Sequence, residues 1–557
     1  MAGSSRPAVL VKLVFPLSIG RWTGYDPLVS LEAFGLKNLR CLVDTGLVPI
    51  RPITLLVGRN SSGKSTFLRA FPLLRQSVET RRNTPILWYG DEHPVDFGSL
   101  RDASSAWLDE PSVTFMFGLR LPREAGITIG NPPVDIEMTI RDGEAPHVSE
   151  YGIRVEEHEV RWAFNSAGRA TSLTVNGSPV AVRGPMSLGG KAHLLATLQP
   201  SPVSEVVYTV ADETLFLSGA WYSGAADEEL LPPLVDSLAP LHGQRMSVKG
   251  MSHIAADMLV GSTSNMLGYL RAQANERQYQ RDVGALIALH DSGKPAPLVD
   301  AIVSAALART SPLLLEAADR VLASLLSRTV YLAPLRVSAQ RAYRITNYAV
   351  EEVDPDGKNL AMFLRSLSPE ETESFAAFTR DALGFETRIQ TTKIHAEILV
   401  RAGASKRFSN LVDVGFGYSE VLPLAAVLWN SCIRPVIGQR EPSPLVTVEQ
   451  PELHLHPAHQ ARLARMFVEA VTRSPGTRMV VETHSESLIN GLGKLVYEGR
   501  IKADDVQIVL FDQDEETERT EVRLAGYRET GALRDWPYGF LSPVAERRSS
   551  SPARAAE

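Results

Sequence analysis

Gly58-Arg59-Asn60-Ser61-Ser62-Gly63-Lys64-Ser65 has the spacing G-x-x-x-x-G-K-S. Glycines let a backbone wrap closely around a phosphate chain. Exposed backbone N–H groups and a helix dipole then favour the negative charge. In such a loop the lysine, here Lys64, reaches the β- and γ-phosphates, and the serine, here Ser65, ligates Mg²⁺. The apolar run Ile53–Val57 reads as the buried parallel strand that must lead into the loop. Thr66 to Arg75 reads as the helix that must follow it, with Pro72 limiting or kinking that helix.

A phosphate loop needs an acidic partner on a second strand. Pro444 to Val448 is apolar and ends in Glu449-Gln450-Pro451-Glu452. A carboxylate there can hold Mg²⁺ through water. A third run, Arg478 to Val481, ends in Glu482-Thr483-His484-Ser485, and His484 is placed to sense a γ-phosphate by hydrogen bonding. Between the first and second of these lies Asp413-Val414-Gly415-Phe416-Gly417-Tyr418-Ser419-Glu420, followed by a helix-like run from Val421 to Trp429. Glycines, a serine and a helix start make a second anion-binding surface. It is useful if it faces the γ-phosphate bound by another subunit. The nucleotide-contacting set is therefore Gly58, Arg59, Asn60, Ser61, Ser62, Gly63, Lys64, Ser65 and Thr66, with Gly415, Gly417 and Ser419 across a dimer interface.

The bulk properties fit a large intracellular protein. The chain has 557 residues, a formal net charge of −7 and two cysteines, Cys41 and Cys432. That charge excludes a uniformly basic nucleic-acid binder but leaves room for a local basic groove. Two cysteines make neither a disulfide framework nor a zinc site and suit a reducing cytoplasm. No uninterrupted apolar run reaches a membrane-spanning length. The segment Val9–Ile19 is only mildly signal-like, interrupted by Lys12 and Pro16.

Along the chain, 1–28 reads as an N-terminal extension and 29–104 as the first part of an α/β domain carrying the phosphate loop. A hairpin is expected from Leu31 to beyond Leu47, forming one lobe with the strand before the loop. The stretch 105–250 reads as an inserted antiparallel β section, with strands at Val113–Arg120, Val134–Arg141, Ile153–Phe164 and Thr171–Asn176, and a further one within Glu205–Leu217. The stretch 251–328 reads as a helical section, with helices at Ile254–Ala272 and Leu298–Ser327. The α/β pattern returns over 329–546, and 547–557 reads as a disordered tail. His454, His456 and His459 lie close together but lack a completing cysteine or carboxylate set. Arg336 and Arg341 are further candidates for phosphate or nucleic-acid contact. The acidic run Asp512–Glu518 reads as a charged turn between two strands.

Taken in order, phosphate loop, glycine–serine stretch, acidic strand end and histidine resemble the ABC-type P-loop NTPase heads of SMC proteins and OLD-like ATPases of the AAA family. The closest resemblance is to bacterial ATPases with an ending like Glu449 to Pro457. Tyr331-Leu332-Ala333-Pro334-Leu335-Arg336, Asp413 to Pro423 and Trp536 to Phe540 are also shared. The resemblance implies a cytoplasmic ATPase using ATP and Mg²⁺. It would dimerise around nucleotide as a homodimer or higher even oligomer, with no membrane partner. Relatives include the ATPases of Septu PtuA-type anti-phage systems, which work with a separate effector such as a nuclease. DNA is a possible further partner. In this alignment Glu449 takes the Mg²⁺-side position and Gln450 the position where many such heads carry the catalytic glutamate. A neutral amide orients water but does not accept its proton at pH 7, so slow hydrolysis, or Glu452 as base, is expected. Alternative functions are a DNA-repair or chromosome-maintenance ATPase that binds DNA directly, a nucleotide-sensing scaffold with negligible hydrolysis, a stand-alone nuclease and a transporter subunit.

Overall fold

The computed structural model describes residues 30–537, apart from 91–92, 123–126, 129–130, 181–185, 190–193, 201–206, 211–212, 217–226, 242–254, 256–257, 274–276, 335, 347–349, 404, 406 and 435–443. The expected N-terminal extension 1–28 and tail 547–557 lie outside the described residues. The fold is mixed α/β, and the chain divides into two compact units, one of 1–49, 70–328 and 438–442 and the other of 50–69, 329–437 and 443–557.

The first unit is built on an antiparallel sheet. Its strands run Ser178–Pro179, Ala170–Val175, His158–Phe164, His147–Val155, Pro133–Arg141, Ser112–Arg120, Ser30–Leu39 and Leu42–Asp44 in spatial order. Pro133–Arg141 alternates buried residues with half-buried or, at its ends, exposed ones, as a strand with one face on a core must. Ser112–Arg120 is buried at all seven inner positions. The hairpin expected from Leu31 forms, with Phe34 opposite Val48 and Ala33 opposite Pro49, and its first strand, Ser30–Leu39, also pairs with Ser112–Arg120 in this unit. The single run expected over Ile153–Phe164 is two strands that pair with each other, turning at Glu156, whose φ is +52°. The helix Pro297–Leu326 packs on this sheet, and Trp162 Nε1 donates to Ser311 Oγ at 2.9 Å. By length and composition this helix could cross a membrane, but its most apolar window is 72% buried within the protein. Pro312 lies inside it.

The second unit holds the parallel strands. Their order is Thr329–Leu332, Leu445–Glu449, Arg478–Glu482, Ile53–Gly58 and Val506–Gln513, with Thr520–Tyr527 added antiparallel at one side. The strands Leu445–Glu449 and Ile53–Gly58 are buried at every residue, as strands covered on both faces should be. Helices Leu360–Ser366, Pro369–Leu383, Phe416–Cys432, Pro457–Arg473 and Glu486–Tyr497 flank this sheet. Trp429, Phe363, Phe375, Phe378 and Phe467 form its core with the strands. A smaller antiparallel sheet contains Phe385–Thr391 and His395–Ala402.

Three local expectations differ from what forms. The helix after the phosphate loop runs Lys64–Glu79, straight through Pro72. One missing N–H bond is tolerated there because Phe71, Leu73 and Leu74 are fully buried and hold the turn by packing. The later helix begins at Phe416 rather than Val421, and so takes Gly417 and Ser419 into its first turns. Of the helix expected over Ile254–Ala272, residues 258–262 are not helical and a helix runs Thr263–Gln273, while 254 and 256–257 lie outside the described residues.

Candidate functional site

The parallel strands run the same way, so Gly58, Glu449 and Glu482 all come to the carboxyl end of the sheet. Open α/β sheets bind ligands at that edge. Glu449 is the register partner of Glu482, and Glu482 of Leu56. The strand leading to His484 therefore lies between the phosphate-loop strand and the one ending in Glu449.

The loop itself is tightly shaped. A Cβ at Gly58 would lie 2.4 Å from the Phe511 carbonyl oxygen, so only glycine fits. Gly63 adopts a φ of +91°, which side-chain-bearing residues rarely accept. Ser62 Oγ donates to the Arg59 carbonyl at 2.9 Å, and Lys64 Nζ donates to the same oxygen at 2.5 Å. Lys64 is 3% exposed. Phe67 N–H bonds to the Gly63 carbonyl at 2.9 Å and starts the helix. Arg59, by contrast, points outward and pairs with exposed Glu515 at 2.6 Å.

The C-terminal hairpin buttresses this loop, a support not foreseen from sequence. Thr520 Oγ1 donates to the Ser62 carbonyl at 3.1 Å, and Phe511 meets Phe67 edge-on at 5.7 Å. Of the acidic run 512–518, residues 514–518 lie in the turn of that hairpin, while Asp512 and Gln513 end its first strand. Asp514 accepts the Thr517 N–H at 2.7 Å, and this bond holds its carboxyl below the usual range.

Glu449 is 2% exposed and fully engaged. Arg69 grips it in a fork, Nε to Oε1 at 2.7 Å and Nη2 to Oε2 at 2.8 Å, and Tyr331 Oη donates to Oε1 at 2.9 Å. Burial, reinforced by the Glu449 charge, pushes the Tyr331 hydroxyl up. Neither Arg69 nor Tyr331 was singled out as a partner of this carboxylate from sequence, because 380 and 118 residues separate them from it.

Gln450 follows with a left-handed φ of +40°, and its N–H donates to the Glu482 carbonyl at 2.9 Å. This joins the Gln450 turn to the end of the neighbouring strand. Glu452 Oε1 accepts the His484 backbone N–H at 2.6 Å. Glu452 is 8% exposed, and burial raises its carboxyl. His484 Nε2 is buried with no hydrogen-bond partner. Burial, and secondarily the charge of Lys64, hold the imidazole below its ordinary value, so it is neutral at pH 7. Ser485 caps the next helix, accepting the Leu488 N–H at 3.0 Å. Glu482 is 2% exposed, and Oε2 has no partner. Burial raises its carboxyl, while the nearby Ser65 hydroxyl opposes the rise.

The glycine–serine stretch lies in the same unit. Gly415 is the N-cap of Phe416–Cys432, with φ +104° and no side-chain cap. Ser419 is 8% exposed. The neighbouring Glu420 accepts from Arg336, whose Nη1 bonds to its backbone carbonyl at 3.1 Å. The Arg336 side chain has no exposure, and burial brings its guanidinium down to about 10. Arg336 is thus an internal strut, whereas Arg341 makes an exposed pair with Asp413 at 2.5 Å. Of the three nearby histidines, His454 lies 3.9 Å from Glu420 and the His459 ring meets Tyr418 at 5.8 Å. No group of three metal-ligating side chains occurs among the described residues.

Residues 319–489 match the AAA ATPase domain family model. The match covers less than half of the chain and does not include the strand–loop–helix around Lys64. No curated protein matches the chain by sequence. Among solved structures, the Smc head domain of Pyrococcus furiosus, bound to the C-terminal domain of ScpA, is 12% identical, with 89% of this chain and 96% of that chain covered and a TM-score of 0.32. The SMC head domain from Thermotoga maritima is 11% identical, with 89% and 98% covered and a TM-score of 0.30.

Proposed function

We propose that this chain is an ABC/SMC-like ATPase that binds Mg²⁺–ATP at the loop 58–66, pairs with a second copy around the nucleotide, and so regulates a separate effector, a nuclease in anti-phage defence. The observation that carries the reading is the strand order. It brings the loop, the Glu449–Gln450 turn and His484 to one sheet edge within one unit.

The residues fit the ligand. Lys64 already donates to a carbonyl of the loop, a partner that phosphate oxygens would replace. The buried, unpartnered Glu482 Oε2 next to Ser65 suits a hard cation, which Mg²⁺ sites supply with one or two carboxylates plus phosphates. Bound there, Mg²⁺ would neutralise phosphate charge. Lys64 and the loop N–H groups orient the triphosphate. Neutral His484 offers Nε2 as a hydrogen-bonding atom toward the γ-phosphate, and Glu452 holds the His484 backbone in place. Gln450 orients water without accepting its proton, so turnover is slow. The uncapped helix start at Gly415 presents N–H groups to a nucleotide held by a second copy.

Sedimentation of the pure protein tests the pairing. Mg²⁺ with a slowly hydrolysed ATP analogue should shift the wild type to an even oligomer and leave Lys64→Ala unshifted. An unchanged wild type would contradict dimerisation on nucleotide.

A further inference from the structure

Glu449 and Glu482 end adjacent parallel strands in register, and each is 2% exposed. Their surroundings differ. Both oxygens of Glu449 are spent, on the Arg69 fork and the Tyr331 hydroxyl. Glu482 has no guanidinium fork, and only the Ser65 hydroxyl bonds its carboxyl. Its Oε2 is buried and unbonded, and the charges of Glu449, Lys64 and Arg69 lie near it.

A buried carboxylate without a compensating partner is costly, and a cation recovers that cost. A carboxylate already in a bidentate guanidinium pair would instead have to exchange two charge-assisted hydrogen bonds for the metal. Ser65, the expected hydroxyl ligand, lies beside Glu482. We propose that Glu482, and not Glu449, is the carboxylate that holds the Mg²⁺ of the bound nucleotide together with Ser65. Glu449 is then a positioning residue, which fixes the helix after the phosphate loop through Arg69. This assignment rests on the reading that the loop binds Mg²⁺–ATP.

Calorimetric titration of ATP, with Mg²⁺ and then with a chelator in its place, tests the assignment without recourse to turnover. Wild type should bind about tenfold or more tightly with Mg²⁺. Glu482→Gln should lose that increment while its metal-free affinity stays within about threefold of wild type. Glu449→Gln should keep the increment. Glu482→Asp retains the charge and should restore part of it, which guards against a merely misfolded Gln variant. A full Mg²⁺ increment in Glu482→Gln overturns the assignment alone. Equal ATP binding by wild type and Lys64→Ala overturns the underlying site as well.

Discussion

Arg69→Met removes the guanidinium fork from Glu449 while keeping a long apolar side chain. Breaking a buried ion pair by deleting one partner typically costs ~3–5 kcal/mol, because the other charge is left uncompensated. Here the Arg69 side chain is 38% exposed and that of Glu449 is 2% exposed, so the pair is only half-buried. Water can reach the position the guanidinium leaves, and Tyr331 still donates to Oε1. Discounting for that screening gives a loss of about 1.5–2.5 kcal/mol. Arg69→Lys should recover little, since an ammonium cannot reproduce the planar fork. The assay is a double-mutant cycle with Glu449→Gln in urea, followed by tryptophan fluorescence, with Trp429 reporting from the same core. A coupling of about 1–2 kcal/mol is expected. Additivity within about 0.3–0.5 kcal/mol would refute the view that Arg69 neutralises Glu449.

Two further outcomes concern the same edge of the sheet. Gln450→Glu places a proton acceptor where the turn meets the strand end, and general-base assistance is worth ~10²–10⁴-fold, so steady-state ATP turnover should rise; unchanged turnover with nucleotide binding intact would argue against this position as the water-activating one. Burial, and then Lys64, depress the His484 imidazole in the folded state, so the unfolded chain takes up that proton first as pH falls. The wild-type stability advantage over His484→Gln should therefore be level above about pH 6.5 and shrink below it, as read by urea denaturation across pH; a gap independent of pH would contradict a buried neutral His484.

Much of the local structure around 58–65 was legible because its signals are local. The apolar run, the glycine spacing and the lysine–serine pair sit within a dozen residues, and the strand Ile53–Gly58 and helix from Lys64 form around them. The Glu449 clamp was hidden because Arg69 and Tyr331 come from distant segments brought together only by strand order. Glu482 was noted only as a strand end, since nothing local reveals that it lies in register beside Glu449. The turn at Glu156 carries no glycine, proline or asparagine, so one run was read where two strands form. The start of the helix at Phe416 was missed because Gly415 and Gly417 read as loop, although only Gly415 lies outside the helix.

The most direct measurement is ATP turnover by the pure protein beside Lys64→Ala, which removes the ammonium held in the loop. Slow hydrolysis by the wild type that disappears in the variant is expected. Equal rates in the two proteins, or equal ATP binding, would contradict a nucleotide site built around this loop.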